Sequence, residues 1–198
     1  MPPVEDIQQF LIGAWRMMMG RRDGLALLDI SADGFWNSFF AIVIAVPALI
    51  VGWVVYAREL GVGYDILSGR VSVILRLAVA DIATWLIPIA ALAVIAGPVG
   101  MRDRFVHYVV ANNWGSAISA WMLVPAALIR LVVPGFAEVA DLLSLMLFAA
   151  VLILSWRLTN LALDKGPGAA TVLFFGMLIG SFAVLFMAQG LLGLAPSS

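Results

Sequence analysis

Between residues 169 and 191 the chain carries no Asp, Glu, Lys or Arg. A helix needs about 20 mostly apolar residues to cross the hydrocarbon core of a bilayer, and this stretch supplies them. Inside lipid such a stretch must satisfy its own backbone hydrogen bonds, so it has to be helical. The rest of the chain shares the bias: 64% of its 198 residues are hydrophobic and 12% are charged, against about a quarter charged in a soluble domain. A soluble fold of this size has no interior large enough to hide that much apolar surface. The same composition excludes a disordered chain. With no Cys at all, a disulfide scaffold, thiolate metal sites and thiol chemistry are excluded too. Net charge is -1, so there is no basic excess to attract nucleic acid. The expected fold is an all-α, polytopic membrane bundle.

Five spans are expected. The first covers residues 35–56, is led in by Ser31, Asp33 and Gly34, and contains Pro47, which removes a ladder hydrogen bond and bends the helix. The second covers residues 77–95, contains Asp81 near its start and Pro88, and stops at Gly97-Pro98-Val99-Gly100. Its amphipathic lead-in, residues 69–76, extends the helix outside the membrane. The third, residues 116–133, contains Pro125 and Arg130. The stretch before it, residues 104–115, is either the first turns of one long helix or a half-helix broken at Asn112 to Gly115. The fourth covers residues 142–156 and starts as early as Phe136; the fifth covers residues 169–191 after the turn at Asp164 to Gly168. If residues 104–115 re-enter separately, the count becomes six.

The first 34 residues differ from the five-span domain formed by residues 35–198. Val4, Ile7, Leu11, Ala14 and Met18 recur at three- and four-residue spacing with Trp15 beside them, the mark of an amphipathic helix. Acids at its start and Arg21 and Arg22 beyond its end suit its dipole. Too polar to span, it is expected to lie in the membrane interface, apolar face down. It lacks the pattern of a secretory signal peptide. With five spans, Arg16, Arg21, Arg22, Arg102, Arg104, Arg157 and Lys165 fall on one side, and Arg58, Arg70, Arg76 and Arg130 on the other. The positive-inside rule then puts the amino terminus in the cytoplasm and the carboxyl terminus outside. The odd span count argues against paired inverted halves.

Ionisable groups at membrane depth are the default functional candidates because they are costly there. One set, Arg76, Asp81, Arg130, Glu138 and Asp141, lies near the outer face, with Asp81 about 6 Å below the start of the second span. It reads as a polar site or relay on Asp81 and Arg130, or as a snorkelling Arg130 paired with an acid of a neighbouring helix. A second set, Arg102, Arg104, His107, Tyr108, Asn112, Asn113 and Trp114, lies near the inner face. It reads as a headgroup or ligand pocket, or as an interfacial anchor with amide bonds between helices. His107, the only His, cannot make a zinc site alone and reads as a hydrogen-bonded structural residue. Gly176 and Gly180 form a small-xxx-small motif that suits close helix packing, inside the chain or in a homo-oligomer. There is no Walker loop, dinucleotide fingerprint, HExxH or GxSxG, and Gly61-Val62-Gly63 stands in a loop without the rest of a fingerprint. No cofactor or catalytic residue is implied.

A cytoplasmic amphipathic lead followed by five closely spaced spans with almost no loops resembles the Yip (Rab-interacting) five-span family and its bacterial relatives. The segment Arg104-Phe105-Val106 through Asn113-Trp114 resembles small bacterial proteins of this length and plan. The family's Asp-Leu-Tyr-Gly-Pro signature has no counterpart here, and no residue role is carried over. The resemblance implies a bacterial inner-membrane protein that works by membrane association or partner binding rather than turnover. Two functions are therefore expected. One is a non-enzymatic protein that organises or shapes membrane or scaffolds a complex, using residues 4–18. The other is a small oligomeric transporter or channel using the polar residues of spans two and three.

Overall fold

A computed structural model describes residues 1–59 and 67–194 of the chain; the loop glycines at 61 and 63 and the tail after residue 194 lie outside the described residues. Among the described residues every regular element is helical. Helix α1 is Val4–Met18, followed by a 3-10 turn Arg22–Leu27. Then come α2 (Ala32–Ser38), α3 (Phe40–Glu59), α4 (Leu67–Ile95), α5 (Phe105–Val132), α6 (Ala137–Leu163) and α7 (Pro167–Leu191). Five helical spans are long and apolar enough to cross a membrane, with α2 and α3 forming one of them.

Of the two readings of residues 104–115, the one long helix is observed: Asn112 to Gly115 do not break it, and it runs from Phe105 to Val132. Its 28 residues make a rod about 42 Å long, more than the roughly 30 Å hydrocarbon core requires. Neighbouring helices take up the awkward residues. Asn113 is bonded sideways by other helices, and Gly115 lets Leu158 of α6 approach where a Cβ would overlap its Cδ1. In α4 the apolar stretch long enough to span begins at Val71, ahead of the expected Leu77, which puts Asp81 about 15 Å along it.

The spans contact one another in the cyclic order α3, α4, α7, α6, α5 and back to α3. They thus form a ring, not a solid bundle. Pro47 leaves the Val43 carbonyl without its helical donor; beside it, the Ile44 carbonyl accepts from Trp121 Nε1 of α5 at 3.0 Å, a bond from the neighbouring helix.

Helix α1 does not rest with its whole apolar face in the interface. Ile7, Phe10, Ala14, Met17 and Met18 are buried in the core of the protein itself, against α5 and α6, and the Phe10 and Trp114 ring centroids are 5.4 Å apart. Leu11 is half-buried, whereas Val4 and Trp15 are exposed, together with Ile12 and Met19 on the same side. So Ile7 and Met18 belong to the interior and Val4 and Trp15 to the exterior. The physical reason is the surplus length of α5, whose first turns need a protein wall. The chain folds back tightly to build that wall: Gly13 and Gly24 meet backbone to backbone, and a Cβ on Gly24 would strike the Gly13 carbonyl and the Met17 amide.

Gly24→Ala is therefore expected to destabilise the purified protein by about 1–3 kcal/mol, as overpacking does, read as a lower Tm in detergent. Gly176→Ala, at a position with open space around it, is expected to leave Tm unchanged or raise it slightly. Equal losses at both positions would contradict this packing.

Candidate functional site

The ring encloses two cavities. The larger, about 360 Å³, lies between α4, α5, α6 and α7. The second, about 300 Å³, lies beyond it towards the ends marked by Tyr56 and Gln189. Leu49, Asp81 and Ala120 line both, so they form the partition between the two spaces. Both cavities are mostly walled by apolar side chains, but their polar groups are ordered by helix geometry. Asp81 and Thr84 share a face of α4, Asn112, Ser116 and Ser119 a face of α5, and Ser155 and Thr159 a face of α6, and all line the larger cavity.

At the partition, Trp53 Nε1 of α3 donates to Asp81 Oδ2 at 2.6 Å. Among the described residues no Lys or Arg pairs with that carboxylate. Of the two readings of the outer set, the pairing of Arg130 with an acid of a neighbouring helix is the one observed: it meets Asp141 of α6 at 2.6 Å, near the ends of α5 and α6. Beyond the second cavity the chain turns back after α7 through Gly193, with φ of 64°. Tyr56 Oη donates to the Leu194 carbonyl at 3.3 Å and Arg76 Nη1 to the Leu192 carbonyl at 3.1 Å. Leu194 is buried against Trp53 and Leu77, so the same Trp53 touches both the turn and Asp81.

The inner-face set is scattered, not gathered into one pocket. Asn112 faces the larger cavity, and Trp114 is in the core beside Phe10. Asn113 is wholly buried and ties three helices: Trp85 Nε1 of α4 donates to its Oδ1 at 2.9 Å, and its Nδ2 donates to Ser38 Oγ at 2.9 Å. Ser38 Oγ donates in turn to the Phe35 carbonyl at 2.7 Å, at the step between α2 and α3. His107 was expected to be hydrogen-bonded, yet its Nδ1 is buried without a partner.

Arg104 pairs with Asp164 at 3.4 Å. Next to it, Lys165 Nζ donates to Asp103 Oδ1 at 2.7 Å and to the Gly100 carbonyl, joining the α4–α5 and α6–α7 turns. The Lys165 hydrogen bond holds the Asp103 carboxyl below the usual carboxylate range. A lowered carboxyl pKa adds stability above the ordinary Asp range, which is lost as pH falls through the lowered value. Arg21 and Arg22 are exposed after α1, and Arg21 and Arg16 both pair with Asp23. The glycine motif is divided: Gly180 stands at van der Waals distance from Pro88 of α4, and Gly176 faces open space.

Comparison with protein-family models, with curated proteins and with solved structures finds no match for this chain. The likeness to the Yip family therefore rests on the plan of spans alone.

Trp53, Trp85, Ser38 and the hydroxyl rows escaped a reading that looked for charge. The available signal was spacing: polar residues three, four and seven apart in otherwise apolar helices mark a lumen face. Asn113→Leu strands the Trp85 and Ser38 groups in the interior, and an unsatisfied buried donor costs about 1–3 kcal/mol. Its expected effect is a clear fall in Tm in detergent, larger than that of Ser119→Ala, whose hydroxyl bonds only the Gly115 carbonyl of its own helix.

Proposed function

We propose that the protein is a small, non-enzymatic membrane carrier or channel whose path is the interior of the five-helix ring. The observation that carries this reading is Asp81, a carboxylate within an apolar candidate span that lines both cavities and pairs with no basic side chain among the described residues. A scaffold has no use for a carboxylate there, whereas intramembrane acids recur along ion and substrate paths. The turn through Gly193 lies where an outer gate would stand, held by Tyr56 and Arg76.

Stopped-flow swelling of proteoliposomes tests the reading with a panel of small polar solutes and cations. At least one is expected to enter faster than in protein-free vesicles, and Asp81→Asn is expected to cut that rate at least about 10-fold, as loss of a charged group at a path does. No excess entry across the panel would overturn the reading.

Membrane shaping is the second reading, supported by the exposed stripe of Val4, Ile12, Trp15 and Met19 on α1. That stripe suits contact with a bilayer surface at headgroup depth. It is narrower than the face expected from the sequence, because the buried half of α1 faces the protein. Vesicles that keep their size and curvature on reconstitution would leave this reading without support. Gly176, with open space beside it, offers the closest approach for a second copy of α7.

We also propose a bacterial inner membrane as the setting, with the end carrying Arg104 and Lys165 in the cytoplasm, on the strength of the basic-residue asymmetry. An alkaline phosphatase fused behind Ser198 is then expected to be active, and a green fluorescent protein at the same place dark. The reverse pattern would invert the orientation.

A further inference from the structure

We propose that the lumen binds a small organic cation at Asp81, in competition with a proton; this rests on the carrier reading above. Charge argues first. Asp81 is the one Asp, Glu, Lys, Arg or His among the residues lining the two cavities. A carboxylate inside an apolar span, with no basic partner among the described residues, needs a positive guest or a proton to offset its charge. Among the described residues lining these two cavities none is basic; Arg130 lines the adjoining space that shares Gly52, Tyr56, Leu123 and Ala127 with the second.

The polar wall is complementary to a donor. Thr84, Ser119 and Thr159 each give their hydroxyl hydrogen to a carbonyl of their own helix, at 2.8 Å, 2.9 Å and 2.9 Å. Their oxygens are left to accept. Trp53 gives its N–H to Asp81, and Trp85 gives its own to Asn113. The wall thus offers these three hydroxyl oxygens as acceptors together with aromatic surface, while Asn112, Ser116, Ser155 and Ser181 bring groups that can both donate and accept.

The aromatic surface separates an organic from an inorganic cation. Trp85, Tyr108, Phe148 and Phe174 line the larger cavity, and ring faces attract alkylammonium groups. A bare metal ion instead asks for a shell of oxygen ligands. The volume, about 360 Å³, lies in the range of small-molecule sites, roughly 300–1,000 Å³. Besides Asp81, the titratable groups facing these cavities are Tyr56 of α3 and Tyr108 of α5; α6 and α7 contribute none. In the acidic range only a carboxyl group titrates among these, so the competing proton sits on Asp81.

Three solutes built on one tert-butyl group separate charge from shape: tert-butylammonium, tert-butanol and pivalate. Each is titrated calorimetrically into the purified full chain in detergent micelles. The ammonium is expected to bind at least about 10-fold tighter than the other two. Its binding should weaken as pH falls and release a proton into weak buffer. Asp81→Asn is expected to lower its affinity at least about 10-fold and to abolish the proton release. Phe174→Leu, which keeps the carboxylate, is expected to weaken it roughly 2- to 30-fold. Should the Asn variant fail to fold, the Phe174 variant and the wild-type pH dependence decide. Equal binding of pivalate or tert-butanol, no binding of the ammonium, or pH-independent binding overturns the proposal. Micelles need no transport, so ammonium binding without vesicle flux would sink the carrier reading alone. Flux of neutral solutes without ammonium binding would sink this inference alone.

Discussion

Lipid offers no hydrogen bonds, so every polar group placed between the helices must find its partner within the chain, and Asn113 is where this constraint is met most fully. It sits at the junction of α2, α4 and α5, accepts from Trp85 and donates to Ser38. Hydrogen bonds of this kind are worth about 1 kcal/mol each in membrane proteins, but their directionality fixes register. The step between α2 and α3, the rotation of α4 that turns Asp81 inward, and the unbroken course of α5 are all pinned at this point. The Trp85–Asn113 bond crosses the ring between helices that are not neighbours in it, and the larger cavity lies against Trp85.

The two ends of the ring are built differently. At the Arg104 end, α1, the 3-10 turn and α2 wrap the first turns of α5, and the most fully buried side chains of the protein are concentrated there. Gly13 and Gly24 make that wrap possible by bringing backbones together. At the other end the closure is slight: a turn through Gly193, two side-chain bonds to its carbonyls, and Leu194 seated on Trp53. If the interior is a path, as proposed, movement is expected at the light end. Trp53 joins the light closure to Asp81, so what happens at the carboxylate and what happens at the turn share one indole.

Much of the fold was legible in the sequence because lipid imposes a simple length rule. Five spans, the helix over Val4–Met18 and the cap at Ser31, whose Oγ accepts from Gly34 N at 3.1 Å, all follow from local pattern. What was not legible depended on neighbours. Asn112 to Gly115 are weak helix formers alone, and only Trp85, Ser38 and Leu158 show why the helix continues through them. The apolar stripe of α1 fits a lipid surface and a protein groove equally well by periodicity, and the groove takes Ile7 and Met18. Asp81 was visible as a costly residue, but its bond to Trp53 and its place between the two cavities depend on α3 and α5 and were not. The hydroxyl rows were in plain sight at helical spacing; each hydroxyl taken singly reads as unremarkable.

The central claim is that the space carrying Asp81 and the hydroxyl rows lies inside the ring while lipid lies outside it. Because the chain has no Cys, single cysteines can report on each surface without background. Ser155 lines the larger cavity, and Val172, 77% exposed, faces outward from α7. In intact membranes a small charged methanethiosulfonate should label Ser155→Cys and leave Val172→Cys untouched, despite the greater exposure of the second position. Labelling of Val172→Cys with an inert Ser155→Cys would contradict the account.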